Sequence, residues 1–263
     1  MIITLLTDFG YKDVFAGTMK GVIYGINPDV RVVDVSHGIT RHSVMEAALR
    51  LHEFFGYFPR GTIHVVVVDP GVGSPRRPIL LECDDHLFLG PDNGVFSKVI
   101  WESRETVSVR HITSSHYFIE PRGSTFHGRD VFAPVAAWLS KGTRIDSLGD
   151  TIEDFVRLDL PLPKVEGGQA TGEVIYSDGF GNAVTNITAA DIERVRETKP
   201  GAPVRVFLKG GQTDMKDYFE QGNDRRPHGI INSSGYLEIF LYQGDVTAFL
   251  KLRAGEPVSV RAV

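Results

Sequence analysis

The feature that most limits what this chain can fold into is the unbroken run Val65-Val-Val-Val68. Continuous β-branched residues without polar alternation fit a strand covered on both faces, as in a sheet with a layer of helices on each side. The run stops at Asp69-Pro70, Gly71 and Gly73 permit a tight turn, and Arg76-Arg77 follow. A carboxylate at the carboxyl end of a buried strand, with guanidinium groups close behind, occupies the place where open α/β sheets receive ligands. Taken alone, the stretch fits a strand-ending turn with a surface ion pair equally well.

The flanking chain repeats the pattern. Ile2–Thr7 reads as a buried strand ending at Asp8-Phe9-Gly10, and Phe15–Ile26 spaces its apolar residues as an amphipathic helix stopped by Asn27-Pro28. Val30–Val35 is a second strand and Val44–Phe55 a second helix, so the order through Ile63–Val68 is β-α-β-α-β. That order predicts an α/β fold with a largely parallel sheet. Shorter strands are expected at Ile79–Glu82, His86–Leu89 and Val107–His111, with a turn at Gly90–Gly94, a short helix towards Trp101 and an apolar helix at Val131–Leu139. Leu158-Asp-Leu-Pro-Leu-Pro163 favours an extended link. The expected division is residues 1–160, an α/β domain, and residues 165–263, a smaller mainly-β, barrel-like domain. Strands in the latter are expected at Gly172–Tyr176, Val204–Leu208, Tyr236–Leu241 and Pro257–Val260.

Composition excludes some function classes. A net charge of −5, with the Lys and Arg residues scattered, argues against nucleic acid as a partner. No apolar run approaches the ~20 residues of a membrane span, and no leader precedes the first strand, so the expectation is a cytoplasmic protein without a membrane partner. Cys83 is the single cysteine and excludes an intrachain disulfide. The histidines show no metal-ligand spacing, so no metal is expected.

The polar clusters carry the rest. Asp8-Phe9-Gly10 matches a kinase metal-binding tripeptide, but it stands too early in the chain and lacks that enzyme's other loops. What remains is a pair, Asp8 and Asp13, at a sheet's carboxyl edge, suited to hydroxyl or ammonium groups. Gly71-Val-Gly73-Ser74 lacks the Lys-Ser/Thr of a phosphate loop. His127 lies in the polar loop Arg122–Asp130, with a near-neutral pKa as its qualification for proton transfer. Asp178-Gly-Phe180-Gly-Asn182 presents a carboxylate, an aromatic plate and an amide, either as a capped β-turn or as the wall of a site for a flat heterocycle. Asn232-Ser233-Ser234-Gly235 is a second polar turn of similar character.

Together these stretches resemble one family. Thr7–Gly10, Val68–Gly73 with Arg76-Arg77, Gly90–Gly94, Phe126–Asp130, Asp178–Asn182 and Asn232–Tyr236 occur in the order found in the S-adenosyl-L-methionine hydroxide adenosyltransferases. These are the hydrolase branch of the superfamily that includes fluorinating and chlorinating enzymes. The resemblance spans essentially the whole chain. It implies attack of water-derived hydroxide on ribose C5′ of S-adenosylmethionine, giving adenosine and L-methionine, with no metal and no cofactor. It implies Asp69, Arg76 and His127 as the catalytic trio, with His127 accepting the water's proton. Asp8 would hold the ribose hydroxyls, Asp13 and Asp178 the methionine ammonium, Ser233 its carboxylate, and Phe180 and Asn182 the adenine. It also implies a homotrimer, with each site between one subunit's first domain and a neighbour's second.

The halogenating relatives carry an aromatic residue where this chain has Asp69 and lack the Arg76 and His127 partners. A carboxylate there repels a halide and suits a water, which favours the hydrolase. This chain departs from the halogenating pattern at Ser234, in place of an arginine, at Tyr242 near the adenine edge, and at His42 in place of a ribose-facing aromatic. The alternative is a non-catalytic adenosine or S-adenosylmethionine sensor on the same scaffold, which would need none of Asp69, Arg76 and His127. A 5′-halogenating enzyme is less favoured, and a structural oligomer with a vestigial site is the remaining possibility.

Overall fold

The structure is a computed structural model that describes residues 1–263. The chain divides into two compact units, Met1–Leu160 and Pro161–Val263.

The first unit is built on a sheet of strands β1 (Ile2–Thr7), β2 (Arg31–Ser36), β3 (Ile63–Val67), β4 (Pro78–Cys83), β5 (His86–Pro91) and β6 (Ser108–His111), in the order β2-β1-β3-β5-β4-β6. The β2-β1-β3-β5 portion is parallel, whereas β4 runs antiparallel to both β5 and β6. The sheet is therefore mixed. Asp84 and Asp85 both take positive φ (48° and 60°) and turn β4 straight into β5 as a hairpin. The turn expected at Gly90–Gly94 is shortened because Gly90 and Pro91 belong to β5.

Helices α1 (Phe15–Ile26), α2 (Val44–Phe55), α3 (Ser97–Glu102) and α4 (Ala133–Ser140) cover the two faces. Val65 and Val67 pack into the core that holds Met19, Ile23 and the α4 residues, while Val66 and Val68 pack into the one that holds Ala47, Leu51 and Val99. This two-sided burial is why the valine run has no polar alternation. The helix expected at Val131–Leu139 begins instead as a π-helical turn, Gly128–Phe132, which continues into α4.

The second unit is an antiparallel, barrel-like sheet. Its strands are β7 (Lys164–Glu166), β8 (Gln169–Ser177), β9 (Ala183–Thr188), β10 (Val204–Leu208), β11 (Gly211–Asp214), β12 (Pro227–Ile231), β13 (Tyr236–Leu241) and β14 (Pro257–Ala262). They run β11-β10-β14-β8-β9-β13-β12, with β7 alongside β8, and a Met215–Gly229 bridge brings the two ends of this path together. Val174, Ile187, Val206, Leu237, Ile239 and Val260 fill the interior. Helix α5 (Ala189–Glu197) is started by a reciprocal capping box between Thr188 and Asp191, and α6 (Val246–Leu250) by Asp245.

Candidate functional site

In the first unit the sheet order reverses between β1 and β3, which pair in parallel as far as Thr7 opposite Val67. Chains leaving these neighbours diverge and open a crevice beyond their carboxyl ends. Asp8 follows β1 there, and Asp69 follows β3. A cavity of about 420 Å³ occupies the crevice, and its walls include Asp8, Asp13, His42, Asp69, Phe126 and His127. The sequence expectations for this unit thus meet in one place. Asp8 Oδ2 accepts from the His42 N–H at 2.9 Å, and His42 adopts a positive φ of 66°. His42 thereby anchors the Asp8 carboxylate through its backbone.

Asp69, Arg76 and His127 form a chain of contacts. Arg76 holds Asp69 bidentately, with Nε donating to Oδ1 at 3.0 Å and Nη2 donating to Oδ2. Nη2 also donates to His127 Nδ1 at 2.8 Å. The ion-paired side chains are 5% (Asp69) and 9% (Arg76) exposed. The guanidinium lies 5.6 Å from the Phe132 ring centroid, and its Nη1 atom is buried without a hydrogen bond. A cation–π contact supplies part of what that nitrogen lacks.

The contact fixes the state of the imidazole. Burial, with the cations of Arg76 and Arg122, depresses the His127 pKa, so the ring is neutral near pH 7. Arginine can only donate, so Nδ1 is the acceptor and the proton of the neutral ring sits on Nε2. Accepting the water's proton, the role expected from sequence, is therefore disfavoured: Nε2 already bears one, and protonating Nδ1 would break the Arg76 contact. The ring is instead set to donate from Nε2.

Two loops create this arrangement. Val72 N–H bonds Asp69 O (3.2 Å) and Ser74 N–H bonds Gly71 O (3.1 Å), folding the chain so that Arg76 returns to Asp69. Gly73, at φ 81°, packs so closely that a Cβ would collide with the Ser124 carbonyl. The opposing loop is held by the fully buried Asp130, whose Oδ2 accepts from Gly123 N–H at 2.9 Å. Arg77 faces elsewhere: it donates to Asp92 (2.8 Å) and Asp154 (2.7 Å), tying the chain after β6 to the end of β5.

In the second unit a cavity of about 690 Å³ is lined by Asp178, Phe180, Asn182, Ser233 and Tyr242, joined by Phe219, Ile230, Leu241 and Glu238. Asp178, Phe180, Asn182 and Ser233, the binding residues expected here from sequence, therefore share one wall system with Tyr242. Asp178 Oδ1 accepts from the Phe180 and Asn182 N–H groups, both at 2.9 Å, which leaves Phe180 83% exposed as a projecting ring. Sequence reasoning missed Phe219 and Glu238. The available signal for Glu238 was a charge set inside the apolar run Tyr236–Leu241.

Comparisons with known proteins agree with this picture. Residues 3–149 match the SAM hydroxide adenosyltransferase N-terminal domain, and residues 172–259 match the C-terminal domain of the same family. A protein of Salinispora arenicola named (R)-S-adenosyl-L-methionine hydrolase is 32% identical over 99% of this chain and 97% of its own length. A fluorinase of Actinoplanes is 26% identical over 98% of this chain and 97% of its own. The crystal structure of an uncharacterized conserved protein from Thermotoga maritima superposes with a TM-score of 0.91 at 32% identity, covering 99% of this chain and 100% of that one. The chain belongs to the SAM hydroxide adenosyltransferase family.

Proposed function

We propose that the protein hydrolyses S-adenosyl-L-methionine to adenosine and L-methionine. The observation that carries this reading is the buried Asp69–Arg76–His127 chain, which presents Asp69 and His127 to the first cavity, where a carboxylate and a ring N–H can hold a water and the carboxylate would repel a halide. The oxygen of that water bonds to C5′ as the C5′–S bond breaks, and the bonding pair returns to sulfur to leave methionine's neutral thioether. His127 Nε2–H donates to the attacking oxygen, and Asp69 takes the proton that becomes acidic as the O–C bond forms, then passes it to solvent. Arg76 keeps both groups in place. A sulfonium is its own good leaving group, so this route needs no metal, no cofactor and no acid. Water meeting a cationic carbon–sulfur centre gains from precise positioning and the exclusion of bulk water.

In this reading Asp8 takes the ribose hydroxyls, Asp13 and Asp178 the methionine ammonium, and Ser233 the carboxylate. Phe180 stacks on the adenine and Asn182 meets its edge. The residue at 234 is serine, so carboxylate binding rests on Ser233 and backbone N–H groups. The expected assembly is a homotrimer in the cytoplasm, with the substrate shared between neighbouring subunits; sedimentation of the purified protein checks the stoichiometry.

The decisive experiment incubates the purified, chelator-treated protein with S-adenosylmethionine in ¹⁸O water, with and without chloride. Adenosine labelled at the 5′ oxygen, with an equal amount of methionine, is the expected result. A 5′-chloro nucleoside would transfer the protein to the halogenating branch, and tight binding without turnover would make it a sensor.

A further inference from the structure

Glu238 is a carboxylate in the middle of an apolar strand, 5% exposed, and the functions assigned above do not use it. Burying a carboxylate is costly unless it is well hydrogen-bonded. Glu238 accepts from two side-chain amides, Asn182 Nδ2 on Oε1 at 2.9 Å and Asn232 Nδ2 on Oε2 at 3.1 Å. What this achieves follows from the donors of Asn182. A side-chain amide has two N–H donors and one acceptor oxygen. One N–H goes to Glu238, and the nitrogen also reaches Asp178 Oδ2 at 3.1 Å. Both donors are therefore turned towards carboxylates, and only Oδ1 is left for a ligand in the second cavity.

The surroundings hold this orientation. Asn232 Oδ1 accepts from the Ser234 and Tyr236 N–H groups at 3.0 and 3.1 Å, which commits the Asn232 nitrogen to Glu238. Turning the Asn182 amide over would set its oxygen against two carboxylates. The orientation is thus written into the charge of Glu238 and Asp178.

We propose that Glu238 is a positioning residue that sets base specificity. By fixing Asn182 with its oxygen towards the cavity, it selects a flat ring whose edge carries a donor, a 6-aminopurine, over a 6-oxopurine. The inference rests on the proposed reading that the adenosyl group enters this cavity. A site built to pair with a donor rejects an analogue that lacks it far more strongly than a purely apolar pocket does.

Calorimetry on the wild-type protein with adenosine and with inosine tests the selection directly. Adenosine is expected to bind at least about tenfold more tightly; equal affinities overturn the proposal. Glu238→Gln tests the cause, because a glutamine can offer Asn182 an N–H and so release its amide to turn. The ratio of kcat/KM for S-adenosylmethionine over its 6-oxo counterpart is expected to fall by about tenfold, through a lower KM for the 6-oxo compound. An unchanged ratio in a folded variant overturns the role of Glu238. If that variant does not fold, Glu238→Met, close in size and without the charge, takes its place, and an unchanged ratio there overturns the role of Glu238 equally. Turnover of S-adenosylmethionine with equal adenosine and inosine binding removes this inference and leaves the hydrolase reading intact. Absence of both turnover and adenosine binding removes the two together.

Discussion

The two cavities solve opposite problems. The first has in its wall a charge that is already paired: the side chains of Asp69 and of Arg76 behind it are almost fully buried and lock each other bidentately. The second holds the carboxylates Asp178 and Glu238 too, but most of its wall is rings, amides and aliphatic chains, and its most prominent aromatic, Phe180, stands 83% exposed. Buried charges must be satisfied within the protein, so the first cavity is organised before any ligand arrives. A ring face makes no such demand and waits for a partner. The difference separates a region suited to chemistry from one suited to recognition.

The strongest way to break that contrast is at the carboxylate. Asp69→Asn is expected to lower kcat by about 10²–10⁴-fold, the usual worth of a well-placed proton-transfer group, and His127→Ala by about 10²–10³-fold, the usual worth of one aimed hydrogen-bond donor, each with a smaller change in ligand affinity. Adenosine release and substrate calorimetry measure the two quantities, and near-wild-type turnover in both variants would end the proposed mechanism. Gly73→Ala comes next. It strains a left-handed backbone position and drives a methyl into the Ser124 carbonyl, so Arg76 is displaced. An overpacked contact of this kind costs about 1–3 kcal/mol. Thermal unfolding should register that loss, and kcat should fall by about tenfold or more as positioning is lost.

Phe180→Ala sharpens the recognition side. Stacking of a base on an aromatic ring is worth about 1–3 kcal/mol, so KM should rise by about tenfold while kcat falls less. The reverse pattern would place the ring in the chemistry. A smaller effect concerns pH. His127 is held below its ordinary value by burial and by Arg76 and Arg122, so kcat/KM should stay level from neutrality down through pH 6.5 and decline only below it. As the ring protonates at Nδ1 it loses the Arg76 contact. Phe180→Ala should leave that limb where it is.

A separate effect falls on stability rather than turnover, through another histidine. His64 is fully buried in β3, with Nδ1 bonded to Thr4 Oγ1 at 2.8 Å and Nε2 to His86 at 3.1 Å. Burial and its neighbour His86 lower its pKa to about 3. The unfolded chain takes this proton near pH 6.5 and the folded chain does not. The contribution is therefore complete above pH 6.5 and is lost as pH falls towards 3, by at most about 1.4 kcal/mol per pH unit. Urea melts between pH 7 and 4 should show the slope, and His64→Asn should flatten it.

How much of this was legible depends on the range of the determining contacts. Helices Phe15–Ile26 and Val44–Phe55 follow from local periodicity, and the sequence-predicted bounds agree with the structure. The valine run likewise announces two-sided burial. The antiparallel placement of β4 was missed because it depends on the Asp84-Asp85 turn, whose left-handed residues are a weak local signal. β9 and β12 are short and interrupted by asparagine or glycine, so their pairing partners define them more than their own pattern does. The π-helical turn at Gly128–Phe132 has no periodicity that separates it from α4. At the site, residue types suggested a proton acceptor at His127. The tautomer that argues otherwise is visible only once Arg76 is seen to donate to Nδ1. Glu238 escaped notice because a glutamate in a strand usually faces water; lying between the interior residues Leu237 and Ile239 it does point to the other face, but Asn182 and Asn232 cover it there.

The fit of Gly73 against Ser124 bears on how such a site can be acquired or moved. The turn carrying Asp69 and Arg76 is moulded on the loop carrying His127, and that loop is in turn pinned by Asp130. Neither loop has a useful shape without the other. Grafting the trio onto another sheet by copying three side chains would leave the guanidinium unaimed; both loops, with the glycine at their seam, would have to travel together.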